Sequence, residues 1–121
     1  MTKADLNRRL PLNPRVFAIL AALLEEPAHG YRIKQTVEER SGGAVTLDPG
    51  SLYRTIAKLL QDGLLEEVPA PQGEESVDTR RRYYGITSFG RALAAAEASR
   101  LRHLLDRPEL RAGFAGGEGT D

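Results

Sequence analysis

The stretch that most limits what this chain can become begins at Asp48. Asp48-Pro49-Gly50-Ser51 is followed by Leu52, Ile56, Leu59 and Leu60, apolar at i, i+4, i+7 and i+8. An aspartate before a proline is an N-cap followed by a first-turn residue, and the spacing draws one apolar stripe along a helix. A helix this short is not stable alone and has to bury its stripe against other elements. What lies on either side therefore decides the fold class.

Upstream, Val16, Phe17, Ile19, Leu20, Leu23 and Leu24 recur at helical spacings with almost no polar face. They predict a largely buried first helix from Arg15, capped by Asn13-Pro14 and stopped by Pro27. A second helix is expected from about His29 to Ser41, with Ile33 and Val37 inward and Gly42-Gly43 ending it. Downstream of Gly63, Leu64–Val68 and Arg81–Thr87 read as paired strands, joined by a long loop expected to be mobile. A fourth helix starts near Ser88 and is broken at Pro108.

The expected fold is mainly α with a small β-hairpin. It comprises an extended N-terminal arm (1–14), a winged helix-turn-helix domain (15–87), a dimerisation helix (88–107) and a flexible tail (108–121). In such a domain the second of the paired helices enters the major groove of DNA.

Composition removes most other chemistry. With no cysteine and two histidines, His29 and His103, the chain cannot build a thiolate site or one based mainly on imidazole. The carboxylates come as adjacent pairs such as Glu38-Glu39 and Glu66-Glu67, which point apart on a helix or strand. No phosphate loop, dinucleotide fingerprint or nucleophile elbow occurs, so neither an enzyme nor a cofactor is expected. The apolar run Val16–Leu24 is too short to span a bilayer and no signal peptide is seen, so a cytoplasmic protein is expected. Lys plus Arg equals 17, as does Asp plus Glu, but a polyanion responds to local charge rather than the total.

Locally, charge is concentrated. On the third helix Ser51, Tyr53, Arg54, Thr55 and Lys58 fall off the apolar stripe, and Arg54 and Lys58 are one turn apart. Hydroxyls near a helix N-terminus suit phosphate oxygens, and paired cations suit base edges or phosphates. Arg80-Arg81-Arg82 marks the base of the wing, where cations would flank a duplex. The plainer readings are a solvated basic face, and arginines paired with Glu66, Glu74 or Glu75. On the last helix Ala94, Ala98, Leu101 and Leu105 repeat with 4–3–4 spacing, predicting a homodimer seam to which Phe17 and Leu20 of the other subunit add. By strand alternation Tyr84 faces the core with Ile86, and Tyr83 is expected to be the more exposed.

Four motifs in order give a resemblance. His29-Gly30-Tyr31-Arg32-Ile33, Pro49-Gly50-Ser51-Leu52-Tyr53, Leu59-Leu60-Gln61-Asp62-Gly63-Leu64-Leu65 and Arg82-Tyr83-Tyr84-Gly85-Ile86-Thr87 with Gly90 resemble the PadR family of transcriptional regulators. The resemblance covers roughly residues 12–106. It implies a cytoplasmic winged-helix repressor, usually a homodimer on a palindromic promoter site, of the short subfamily with one helix after the wing. It also implies DNA-facing roles for Tyr31, for Ser51 and Tyr53, and for Arg82 and Tyr83. Many members have proline where this chain has Arg54, which adds a charge to the recognition helix. Some members respond to phenolic acids or hydrophobic drugs bound near the dimer interface, so an unidentified small-molecule effector is a further partner to consider. Two rivals stand beside DNA binding: a winged-helix protein-interaction module, and a small-molecule binding protein that has lost DNA contact.

Overall fold

The computed structural model describes residues 2–73 and 81–117. In chain order these form α1 (Lys3–Asn7), α2 (Pro14–Ala22), β1 (Ala28–His29), α3 (Gly30–Arg40), α4 (Pro49–Gln61), β2 (Leu65–Val68), β3 (Tyr83–Ile86), α5 (Ser88–Leu105) and α6 (Pro108–Gly117). The long helices start where their caps dictate. Asn13 Oδ1 accepts from the Arg15 N–H (2.8 Å), Asp48 Oδ1 from that of Ser51 (2.9 Å), and Thr87 Oγ1 from that of Gly90 (3.0 Å). One core gathers Ile19, Leu20 and Leu23 of the first long helix, Ile33 and Val37 of α3, Leu52, Ile56 and Leu59 of α4, and Leu93 of α5. Each such side chain contributes roughly 1.5–3 kcal/mol by leaving water.

The sheet has three antiparallel strands in the order β1-β3-β2, not two. Ala28 pairs with Tyr84 and His29 with Tyr83, while Leu65 to Val68 pair with Ile86 to Tyr83. β3 is thus central, which corrects the strand phase expected for the tyrosines: Tyr83 is 3% exposed and Tyr84 6%. Tyr83 meets the edge of the His29 ring (centroids 5.5 Å apart). A side chain shielded by strands on both sides and by that ring has no free face.

Both ends of the chain differ from expectation. The first fourteen residues hold a short helix, α1, started by a capping box between Thr2 and Asp5. Leu6, Leu10 and Leu12 then pack against the core, so this segment is part of the body and not a free arm. At the other end Pro108 begins a helix, because a proline lacks only an N–H that the first turn does not use. Of the expected flexible tail, residues 108–117 are helical.

Glu97 of α5 is the one charged side chain buried among the described residues, at 2% exposure. Its carboxylate accepts from the Leu12 N–H (2.7 Å) and from Arg100 (3.2 Å at Nη2). The Arg100 guanidinium is the main cause holding this carboxyl below its ordinary value, against the opposing effect of burial. Ala94, placed on a dimer seam by spacing, and Leu20, expected to add to that seam from the other subunit, are buried in their own core. No helix among the described residues is long and apolar enough to cross a membrane.

Candidate nucleic-acid interface

α4 lies between two shallow grooves. The first is lined by His29, Gly30 and Tyr31 at the start of α3, by Tyr53 of α4, and by Arg81, Arg82 and Tyr84 of the wing. Tyr31 and Tyr53 are 61% and 51% exposed, large for aromatic side chains. Gly30 makes their arrangement possible. A Cβ on Gly30 would stand 2.7 Å from Tyr53 Oη and 2.9 Å from its Cζ, so only glycine lets the phenol ring lie over the start of α3. His29 joins the parts: its Nδ1 accepts from the Arg32 N–H (3.3 Å), capping α3, while it pairs with β3. Arg81 Nη1 stands 3.5 Å from His29 Nε2. With Nδ1 accepting, a neutral ring carries its proton on Nε2, so these two donors approach without a hydrogen bond.

The second groove runs along the other side of α4 and is lined by Asn13, Arg15, Val16, Arg54, Thr55, Lys58 and Leu59. Thr55 is committed to its own helix, its hydroxyl donating to the Ser51 carbonyl (2.9 Å). Arg54 folds back over the first turn, where its charge helps the Ser51 N–H, the larger influence, hold Asp48 below the ordinary aspartate value. Lys58 pairs with Asp62 (3.5 Å) and Arg82 with Glu67 (4.0 Å). These pairs are solvent-exposed and weak, and a competing phosphate can displace them. Among the described residues Arg82 pairs with Glu67, next to the expected Glu66, and Glu74 and Glu75 lie outside the described residues.

The proposed contact residues therefore divide between two sides of one helix. Tyr31, Tyr53, Arg81 and Arg82 share the first groove, Arg54 and Lys58 the second, and Ser51 sits half-buried in the first turn of α4. Tyr83 is buried and contacts no ligand from there. Arg80 lies outside the described residues. Arg15 went unrecognised in the sequence because it belongs to α2, remote in the chain from α4. The Asn13-Pro14 cap that fixes its place was the available signal.

A family model described as the transcriptional regulator PadR-like family matches residues 19–96. The chain belongs to the PadR-like family. That family is one of transcriptional regulators, not enzymes. A PadR family transcription regulator from Clostridium difficile R20291 has a similar fold, with 22% identity and a TM-score of 0.66 over 86% of this chain and all of that one. Bacillus subtilis PadR in complex with operator DNA is similar over 76% of this chain and 46% of that chain, with 23% identity and a TM-score of 0.52. Uncharacterised protein X of Lysinibacillus sphaericus is 32% identical over 74 residues, 61% of this chain and 65% of that protein. The chain spans 65% of the length of this curated relative and 25% of a second. Against this PadR-like frame, the motif glycines acquire physical reasons. Gly30 seats Tyr53, and Gly90 lets α5 approach the wing, since a Cβ there would meet the Leu64 carbonyl oxygen at 2.3 Å.

Proposed function

We propose that this PadR-like chain is a sequence-specific DNA-binding repressor that acts as a homodimer on a palindromic promoter site in the cytoplasm. The observation that carries the reading is the first groove, where two half-exposed tyrosines and two exposed arginines from three separate elements converge beside α4. An edge of that make-up suits a duplex: α4 enters the major groove, Tyr53 and Arg54 reach base edges, and the wing arginines meet phosphates. Ser51, Lys58 and Tyr31 complete the contact set. That Bacillus subtilis PadR, similar in fold, is found in complex with operator DNA supports DNA binding.

The dimer reading keeps part of its expected seam. With Leu20 and Ala94 in the core, the remaining apolar surface is Ala98, Leu101 and the 46%-exposed Leu105 of α5, together with Phe17. Phe17 and Leu101 line one mostly apolar groove of about 420 Å³, a surface suited to a second copy.

The test is a salt titration of DNA binding. Wild-type protein should lose affinity steeply with salt, and Arg81→Ala with Arg82→Ala should flatten the log–log slope by about 0.9 for each phosphate contact removed. Wild-type affinity that does not change with salt would refute DNA binding and favour a protein-interaction module.

A further inference from the structure

The second groove carries a contact that neither the sequence motifs nor the wing accounts for. Arg15 is the second residue of α2, held there by Pro14 and by the Asn13 cap on its backbone N–H. Its side chain is exposed and makes no ion pair among the described residues. It faces the same groove as Arg54 and Lys58, and no acid lines that groove. Lys58 is paired with Asp62, and Arg54 lies near Asp48. That leaves the exposed Arg15 as the cation of this groove whose charge no carboxylate among the described residues offsets, and an opposed polyanion would supply that partner. α2 is packed on α3 and α5 by the fully buried Ile19 and Leu20, so Arg15 is presented from a fixed body.

We infer that Arg15 binds the DNA backbone on the side of α4 away from the wing, so that cations grip the duplex on both flanks of the recognition helix. The inference rests on the DNA-binding reading above and extends its footprint to an element outside the helix-turn-helix pair. Arg15 stands off α4, at the rim of the contact, which places it on phosphate and not on a base edge. A phosphate contact positions the protein but carries no sequence information.

The experiment compares wild type, Arg15→Gln, Arg15→Lys and the Arg81→Ala/Arg82→Ala variant on promoter DNA and on a random-sequence duplex across a salt series. Arg15→Gln should weaken both duplexes by the same factor and lower the log–log slope by about 0.9, while Arg15→Lys keeps the slope. Thermal melts should be unchanged, because the side chain is exposed and makes no ion pair among the described residues. An unchanged slope for Arg15→Gln, with the wing variant still lowering it, overturns the inference and leaves DNA binding standing. A loss confined to one sequence also overturns it, as that marks a base contact. Wild-type binding that does not vary with salt removes the inference together with the function it rests on.

Discussion

Gly30 and Tyr53 form a pair in which one residue's missing side chain holds the other's ring. In Gly30→Ala the new methyl would crowd Tyr53 Oη, and the ring, half exposed, can swing away into solvent. Stability should therefore change by no more than about 1 kcal/mol, the Gly-to-Ala scale in a helix. DNA affinity should fall, and by about as much as in Tyr53→Ala, because both changes remove the same ring from the same place. Combining the two should cost little more than either alone. Additive losses in that double-mutant cycle would show that Gly30 acts independently of Tyr53. This coupling was not visible in the sequence, where Gly30-Tyr31 and Gly50-Ser51-Leu52-Tyr53 stand as separate motifs. The misplacement of Tyr83 has a similar origin. Alternation assigns faces within one strand but is silent about a partner strand two residues long.

At the level of elements, α4 was legible almost to the residue, since Asp48, Pro49 and a regular stripe mark both its start and its inner face. β1 was not, because Ala28-His29 is too short for any periodicity. α1 was hidden by the prolines that follow it, although Thr2 and Asp5 carry a capping pattern. Glu97 sits four residues from both Leu93 and Leu101, inside the apolar stripe of α5, and is buried there. It ties the N-terminal segment to α5, and the tie has a pH signature. Its folded pKa is lowered, so the contribution is complete above the ordinary glutamate value of about 4.3 and is lost as pH falls through the lower folded value. Glu97→Gln should cost about 1.5–3 kcal/mol at neutral pH, the range for hydrogen bonds to a charged group, and less at an acid pH below the ordinary glutamate value of about 4.3. Urea midpoints at both pH values decide the matter, and an equal deficit at each would mean the charge is irrelevant. Gly90→Ala tests another joint. Its Cβ would strike backbone and not a flexible tip, so a loss of about 1–3 kcal/mol is expected in a thermal or urea melt.

On the scale of the whole molecule, the dimer reading makes a hydrodynamic claim. Leu101→Glu with Leu105→Glu should give a folded monomer that binds promoter DNA weakly, since two recognition helices held roughly 34–36 Å apart act together. Sedimentation of the wild-type chain as a monomer at micromolar concentration would refute the dimer. One joint bears on how such a protein discriminates among sites. His29 belongs at once to the sheet and to the cap of α3, so it ties the base of the wing to the helix-turn-helix unit. On the proposed role, a duplex meeting this body does most of the conforming itself. The energy of conforming differs between stiff A-tracts and pliant pyrimidine–purine steps. Base pairs that no side chain touches would then alter affinity through their flexibility, so the stiffness of the DNA becomes part of what the protein recognises.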